Sequence, residues 1–388
     1  MENKVKWIMV LIILASIFTW AVVRHKEKNP QVTTKTLIGQ TYNVGVILPM
    51  TGDAAPYGEA LGKVILLAEE EINADGGANG SKLDFLIEDG KCSGKDAATA
   101  AQKLIDIDHV QAIIGGFCSG ETLAAVPIAE AKKVVLLSAG STSPKLTNIS
   151  PYFFRNIASD ASQGSLDAEV ARQRGYKTVG VLQEQTDYAL GIYNVFEGKF
   201  MSLGGKAIRE EYPTSAADFR TQLIKLKSQD LDALFLITQT SAAAEKILNQ
   251  LKDLAWRPQL FIVETVAGDA KFLLANKEIL EGAIGAEPQV DASNIKFQHF
   301  LQAYKQKYGA DMPYPSFGQN IYDAVYLLKD GIADVGYNGE KLARWSRTIK
   351  NWPGASGQVS IEMNGDRKTG YVSEIVKDGR VQLYNGNN

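Results

Sequence analysis

The sequence is poor in the residues that build metal centres, redox sites and nucleic-acid surfaces. Its 388 residues include only two cysteines and three histidines. His25, His109 and His299 have no metal-ligand spacing, so we expect neither a metal nor a cofactor. The formal net charge of -3 provides no cationic footprint, and nucleic acid is therefore not an expected partner.

A composition typical of disorder is also missing. Hydrophobic residues make up 45% of the chain and charged residues 22%, which is the balance of a globular protein. The length exceeds the size at which a single hydrophobic core stops growing, so we expect two lobes with separate cores.

The sequence has only one long apolar run, and it lies at the N terminus. Lys4 and Lys6 precede the run at residues 7–23, and Arg24 follows it, which is the layout of an export signal. Because a helix needs about 20 apolar residues to span a bilayer, both a cleaved signal peptide and a short membrane anchor are open for residues 1–23. We expect a polar linker at 24–40 and an exported remainder, periplasmic or at the cell surface, with membrane contact only through this segment.

The two cysteines form an even pair in a chain predicted to be exported. This predicts one disulfide bond between Cys92 and Cys118, which closes a loop of roughly two dozen residues. The alternative is a pair of buried thiols.

From Tyr42 onward, short apolar runs alternate with segments of helical periodicity. Two such arrays, before and after Asp160, predict two lobes, each a mostly parallel sheet flanked by helices. The C-terminal part differs, because tight-turn pairs at Asn364-Gly365 and Asp378-Gly379 separate short apolar segments. There we predict antiparallel strands that cap one lobe, at 358–363, 371–377 and 381–384.

Three loops are rich in glycine and hydroxyl residues, and each follows a predicted strand. They lie at 49–58, 115–120 and 138–144. Ligands of open α/β sheets bind outside the carboxyl ends of the strands, where small residues allow close approach and helix N-termini present N–H groups. These loops are therefore the candidate binding region.

The three loops, in this order, resemble the type I periplasmic binding proteins, specifically the branched-chain amino-acid (Leu/Ile/Val) binding family. The resemblance extends from Tyr42 to Tyr384 and includes Glu70-Glu-Ile-Asn-Ala-Asp-Gly-Gly, and Phe154-Arg-Asn followed by Asp160-Ala-Ser-Gln-Gly. It implies an α/β fold of two Rossmann-like lobes joined by three crossovers. Lobe 1 would comprise 40–159 plus 288–356, and lobe 2 would comprise 160–287 plus 357–388.

The resemblance also implies a set of ligand contacts. Ser119 and Thr142 match residues that bond a ligand carboxylate, whereas the Gly140 carbonyl and the Glu264 carboxylate match acceptors of a ligand ammonium. Aromatic side chains close around the ligand, and Phe117 and Cys118 line its side-chain pocket. The complete predicted binding set is Tyr57, Phe117, Ser119, Gly140, Ser141, Thr142, Tyr188, Glu264 and Phe317.

One position departs from the family. The family's tyrosine after the third strand of lobe 2 falls near Gln239 or Thr240, which predicts a more polar pocket there. The residues themselves also allow other roles: Ser119 and Thr142 have the chemistry of helix caps, and Glu264 that of a solvated carboxylate.

The function implied by the resemblance is that of a monomeric, exported solute-binding protein. It would capture an amino acid, aliphatic or branched-chain, between the lobes and deliver it to the permease subunits of an ABC transporter. The alternatives are a binding protein for amides, urea or aromatic carboxylates, and the ligand-sensing component of a receptor.

An enzymatic alternative rests on Gly116-Phe-Cys118-Ser-Gly120, which has the shape of a hydrolase nucleophile elbow. A cysteine nucleophile needs a histidine base, and the only candidate is His299, in a helical pattern predicted to be solvated. A Cys92–Cys118 disulfide would also remove the thiol. We therefore do not expect an enzyme.

Overall fold

The computed structural model describes residues 39–386. The predicted signal or anchor at 1–23 and nearly all of the linker at 24–40 lie outside the described residues. No helix within 39–386 is both long enough and apolar enough to cross a membrane.

The described chain alternates strands with helices along most of its length. The strands are β1 (Thr41–Leu48), β2 (Lys82–Asp89), β3 (Ala112–Ile114), β4 (Val135–Ser138), β5 (Phe153–Arg155), β6 (Thr178–Glu184), β7 (Lys206–Tyr212), β8 (Ala233–Ile237), β9 (Leu260–Ile262), β10 (Ile284–Pro288), β11 (Trp352–Gly354), β12 (Gly357–Val359), β13 (Tyr371–Lys377) and β14 (Arg380–Leu383).

The α-helices are α1 (Ala55–Ala74), α2 (Gly94–Asp106), α3 (Ser119–Ala131), α4 (Asp160–Gln173), α5 (Asp187–Ser202), α6 (Arg220–Lys227), α7 (Ser241–Asp253), α8 (Glu264–Ala267), α9 (Ala270–Ala275), α10 (Lys277–Leu280), α11 (Ile295–Tyr308), α12 (Pro315–Val335) and α13 (Gly339–Ser346). A short 3₁₀ helix spans Pro144–Leu146.

Two sheets form the centres of two lobes, as predicted. The sheet of the first lobe has five parallel strands in the order β2-β1-β3-β4-β5. The sheet of the second lobe has seven strands in the order β14-β13-β10-β9-β8-β6-β7. Only β13 and β14 run antiparallel to their neighbours in it.

The central strands are apolar because both faces of each sheet are covered. All residues of β3 and β8 are buried, which is typical of parallel strands between two layers of helices. In the first lobe, Leu61 and Leu328 pack on one face of the sheet, and Leu104 packs on the other. The second lobe has a separate core.

The C-terminal strands are predicted only in part. Asp378 and Gly379 both have positive φ and close the hairpin of β13 and β14, and β13 caps the second sheet as expected. The predicted strand at 358–363 is present only in part, because β12 ends at Val359 and pairs with β11, and beyond it only Ile361 makes an isolated antiparallel bridge, to Arg367 across the Asn364-Gly365 turn. The chain beyond it is drawn onto the first lobe by Arg367, whose guanidinium donates to the carbonyl of Asn156 at 2.9 Å.

The third crossing between the lobes follows from this packing. Val359 and Ile361 are fully buried in the core of the first lobe, although the sequence analysis ends that lobe at residue 356. We propose that the crossing lies between Arg367 and Tyr371, where β13 begins. The other lobe boundaries stay predictions.

A buried arginine holds the binding loop after β4 in place. Arg155 has no exposed surface, and its Nε donates to Asp366 at 2.7 Å. Its Nη1 donates to the carbonyls of Ser143 at 3.0 Å and Ser141 at 3.3 Å. One guanidinium therefore fixes both the loop at 141–143 and the turn at Asp366.

We expect Arg155→Met to lower the free energy of unfolding by about 3–5 kcal/mol, because it leaves the Asp366 carboxylate without its cation. The matched control is Lys132→Met, which breaks the exposed pair with Asp106 and should cost at most about 1 kcal/mol. Urea unfolding measures both values. Equal losses in the two variants would contradict the role given to Arg155.

Candidate functional site

The candidate site lies between the carboxyl ends of the two sheets. In the first lobe, the loops after β1, β3 and β4 carry most of the predicted contacts. In the second lobe, α5 and α8 follow β6 and β9 and carry Tyr188 and Glu264. The hydroxyl of Tyr57, from the first lobe, donates to the carbonyl of Thr265 in the second lobe at 2.8 Å. This bond is buried, so the lobes are closed over the site.

A buried carboxylate fixes the loop after β3. Glu121 accepts the backbone N–H of Cys118 at 2.8 Å and that of Cys92 at 2.9 Å. Burial raises the pKa of Glu121 to about 7, although these N–H donors act in the opposite direction. With this support α3 begins at Ser119.

The predicted disulfide is present, with the Cα atoms of Cys92 and Cys118 5.3 Å apart. The bond connects the loop after β2 to the residue before Ser119. Because the Cys118 sulfur is bonded, it is not a thiolate nucleophile, and the elbow hypothesis loses its central residue. His299 lies on α11, where its Nε2 is 3.2 Å from a carboxylate oxygen of Glu71.

The Ser141 side chain points into the protein. Its hydroxyl donates to the carbonyls of Gly116 at 2.9 Å and Phe117 at 3.1 Å and lies 2.6 Å from the Thr122 hydroxyl. The Ser141 hydroxyl therefore ties two binding loops together. Its predicted ligand contact stays a prediction and would have to involve its main chain.

The hydroxyls of Ser119 and Thr142 are both buried and incompletely bonded. Ser119 Oγ accepts the N–H of Ser143 at 3.2 Å, which leaves its proton available. Thr142 Oγ1 has no hydrogen-bond partner in the described part of the chain. Cys118 and Ser143 occupy the N-cap positions of α3 and the 3₁₀ helix, so neither hydroxyl has the alternative role of a helix cap.

The second lobe contributes a group of buried acids. Glu264 is 1% exposed, and Asp160 and Asp167 are 0% exposed, so Glu264 is not the solvated carboxylate of the alternative hypothesis. Burial raises the pKa of all three carboxyls, and the nearby Glu264 raises those of Asp160 and Asp167 further. The nearby Tyr188 hydroxyl lowers the pKa of Glu264 and so offsets part of the effect of burial.

Several polar atoms of this group have no hydrogen-bond partner among residues 39–386. Buried polar groups are nearly always bonded, so such a group marks a place for a missing ligand or solvent molecule. The atoms are Asp160 Oδ2, both carboxylate oxygens of Asp167, both amide atoms of Gln163, Tyr188 OH and Glu264 Oε2. Tyr188 and Gln163 lie near enough to Glu264 to lower its pKa, but none of these atoms makes a hydrogen bond of normal geometry.

The sequence analysis did not predict the acids on α4. Asp160, Gln163 and Asp167 are spaced by three and four residues, which places them on one face of the helix. All three are fully buried, and this polar spacing in a helix packed against a core was the available signal. No group of three or more potential metal ligands comes together within 39–386.

An aromatic cluster forms the apolar wall of the site. The ring of Tyr57 stacks on Phe117, with centroids 5.3 Å apart, and Phe317 meets Phe117 edge-on at 5.2 Å. Tyr314, which was not predicted, stacks on Tyr57 at 4.3 Å. Gly140 is required here, because a Cβ at this position would lie 2.4 Å from the Phe117 ring.

The position near Gln239 and Thr240, where the sequence departs from the family's tyrosine, is polar, as predicted. Gln239 and Glu184 line a cavity of about 260 Å³ that also includes Lys91 and Cys92 of the first lobe. The backbone N–H of Gln239 donates to Glu184 at 2.7 Å, and Thr240 caps α7 through Ala243 N at 3.2 Å. Both residues are thus engaged locally, beside the disulfide.

Comparison with known proteins identifies the family. A family model described as periplasmic binding protein matches residues 41–377. The chain belongs to this family. A leucine-binding protein, LivK, from Thermotoga maritima is 32% identical, with a TM-score of 0.81 and coverage of 88% of this chain and 97% of the other.

Two further proteins are similar over most of the chain. The LivJ substrate-binding protein of Streptococcus pneumoniae, solved with isoleucine, is 26% identical with a TM-score of 0.79, covering 89% of this chain and 98% of the other. The leucine-, isoleucine-, valine-, threonine- and alanine-binding protein of Pseudomonas aeruginosa is 26% identical over 337 residues, which is 86% of this chain and 89% of the relative.

The Tyr57–Thr265 bond predicts a measurable effect on closure. Tyr57→Phe removes the bond and leaves a buried carbonyl without its donor, so we expect the open form to become more populated by about 0.5–1.5 kcal/mol. Distances between spin labels at Glu59 and Glu245, which face each other across a cavity between the lobes, measure the opening. Tyr308→Phe removes a similar bond to Lys63 within one lobe and should leave the label distance unchanged.

Proposed function

We propose that the protein binds an aliphatic amino acid between its lobes and delivers it to the permease of an ABC transporter. The observation that carries this proposal is the set of buried acids around Glu264, several of whose oxygens have no hydrogen-bond partner within residues 39–386, although Tyr371 donates to Asp160 Oδ1 at 3.2 Å.

The buried acids favour a ligand with a cationic group. A buried carboxylate is costly unless a positive charge or several donors meet it, and no lysine or arginine forms an ion pair with Glu264, Asp160 or Asp167 in the structure as described. A ligand α-ammonium offers three donors, one of which can meet the unpartnered Glu264 Oε2. The Gly140 carbonyl is proposed as a further acceptor.

The hydroxyl side of the cleft suits a carboxylate. Ser119 is the first residue of α3, and the N-terminal end of a helix carries partial positive charge. The Ser119 proton and the Thr142 hydroxyl supply two further donors. An ammonium and a carboxylate at these two sides describe the backbone of an amino acid.

The remaining surface suits an apolar side chain. Tyr57, Phe117 and Phe317 are each at most 5% exposed, and their rings offer rigid area that costs little entropy to order. The pocket at Gln239 is more polar, so we propose a preference for aliphatic side chains of moderate size. The relatives named for leucine, isoleucine and valine support this class.

The proposed partners and location follow from the family. Membership in the periplasmic binding proteins implies export, and we propose that the protein acts as a monomer outside the cytoplasmic membrane. Anchoring through residues 7–23 and delivery to ABC permease subunits are parts of the same proposal.

The ligand class can be tested by thermal shift and calorimetry on the full chain. Leucine, isoleucine and valine at a hundredfold over their Kd should each add about 2.7 kcal/mol of stability. Urea, acetamide and benzoate, which lack the ammonium and carboxylate pair, should add none. A shift with these compounds alone would contradict the proposal.

Glu264→Gln should weaken leucine binding by about 2–5 kcal/mol, because the ammonium loses a buried charged partner. The matched control is Glu245→Gln, which changes an exposed carboxylate on α7 and should leave the affinity unchanged. Calorimetric titration measures both. Equal affinities in Glu264→Gln and the unmodified protein would remove Glu264 from the site.

Leucine binding should strengthen as the pH rises. The empty site keeps Glu264 protonated up to a raised pKa because burial disfavours its charge, whereas the ammonium needs the carboxylate. Binding therefore releases a proton, and the affinity grows as the pH rises through that raised value. Titrations in buffers of different ionisation enthalpy measure the release, which should disappear in Glu264→Gln. Proton uptake on binding would contradict the assignment.

A further inference from the structure

A second cavity lies at the opposite end of α8 from Glu264. Its volume is about 700 Å³, and Gly268 and Glu287 line it from the second lobe. Pro315 and Ser316, at the start of α12, line it from the first lobe. The cavity therefore lies beside the second crossing of the chain, which follows β10.

The walls of this cavity are mainly apolar. Leu273, Leu274, Val290, Val372 and Val381 contribute most of that surface. Leu274 is 59% exposed and Val290 is 38% exposed, so apolar area is available at the mouth as well as inside. An apolar ligand body would remove this area from water.

The floor of the cavity carries unsatisfied acceptors. Glu287 is 6% exposed and Ser316 is 2% exposed. Glu287 Oε1, Ser316 Oγ and Glu374 Oε2 make no hydrogen bond of normal geometry among the residues described, although the Ser316 hydroxyl lies near enough to lower the pKa of Glu287. Such atoms normally find a partner in a folded protein. A ligand with several donors would provide it.

The charges around the floor favour a cation. Burial raises the pKa of Glu287, and the neighbouring Glu374 and Glu264 raise it further. Lys271 and Arg380 also line the cavity, but both side chains are exposed, and neither forms an ion pair with Glu287 or Glu374 in the described chain. Within residues 39–386 these acids therefore have no cation of the protein as a partner, and the raised pKa keeps Glu287 protonated until a cationic group meets it.

We propose that this cavity is a second ligand site, which binds a primary amine with an apolar body. The ammonium lies against Glu287, Glu374 and Ser316, and its three donors match these three acceptors. The apolar body lies against Leu273, Val290 and Val381. A neutral alcohol of the same shape has one donor and leaves a carboxylate unpaired, and an anion is repelled. The cavity is distinct from the proposed amino-acid site, although Glu264 acts electrostatically on Glu287, and the proposal does not require that the cleft binds an amino acid.

The test is a calorimetric titration of the full chain with n-hexylamine, with n-hexanol as the neutral analogue. The titrations are made in the Glu264→Gln background, which removes one of the cleft carboxyls, and are repeated in the unmodified protein with leucine present to occupy the cleft. We expect hexylamine to bind at least tenfold more tightly than hexanol, without competition from leucine. Glu287→Gln should weaken the amine at least tenfold.

Two further variants keep the result interpretable. Val290→Trp narrows the mouth at a partly exposed position and should also weaken the amine, whereas Glu278→Gln changes an exposed carboxylate on α10 and should not. Melting curves check that each variant is folded. The proposal is overturned if hexanol binds as well as hexylamine, if Glu287→Gln retains the amine affinity, or if leucine displaces the amine. If leucine does not bind but hexylamine does, the result contradicts the proposed function of the cleft and leaves the second site supported.

Discussion

Three carboxyl groups of the second lobe, on Glu264, Asp160 and Asp167, are almost completely removed from water. None of them forms an ion pair within residues 39–386, and only Asp160 has a nearby guanidinium, that of Arg155, which partly offsets the rise in its pKa. Each unsatisfied buried polar group costs about 1–3 kcal/mol. Packing of the two sheets offsets the free-energy cost of burying these carboxyls. Because their pKa values are raised, the carboxyls also reduce that cost by staying protonated in the empty protein. The cleft is thus prepared for a cationic ligand end before any ligand is bound.

Few interactions hold the lobes together around this cleft. The Lys145–Asp187 and Lys246–Asp53 pairs join segments of the two lobes, but their side chains are 40–64% exposed, and exposed pairs contribute about 0–1 kcal/mol each. The buried Tyr57–Thr265 bond adds a similar amount. A ligand that satisfies both the acids and the hydroxyls would therefore decide the balance between open and closed forms.

The sequence predicted the fold well because its signals were local. Alternating strands and helices, the Asp378-Gly379 turn and the cysteine pair each depend on a short segment. The strand predicted at 358–363 is shorter than expected, since bonds from the Arg367 guanidinium to Asn156 and Asn320 bind this segment to the first lobe. Likewise, the side chain of Ser141 turns inward to bond two loops that are separate in sequence.

The candidate site was predicted mainly through resemblance, and this explains what was missed. Ser119, Thr142, Tyr188 and Glu264 follow the family pattern and are buried at the cleft. The spacing of Gln163 and Asp167 on α4 is present in the sequence, but their burial without partners is a tertiary property that only the packed helix shows. The cavity at Glu287 is also assembled from distant segments, and no local motif indicates it.

The central claim is that an amino-acid backbone satisfies the unpartnered atoms of the cleft. A crystal structure of the protein with leucine tests it most directly. The account predicts the ammonium within hydrogen-bond distance of Glu264 and the carboxylate bonded to Ser119 and Thr142, with the side chain against Phe117. Leucine bound elsewhere, or with its carboxylate facing Glu264, would contradict it.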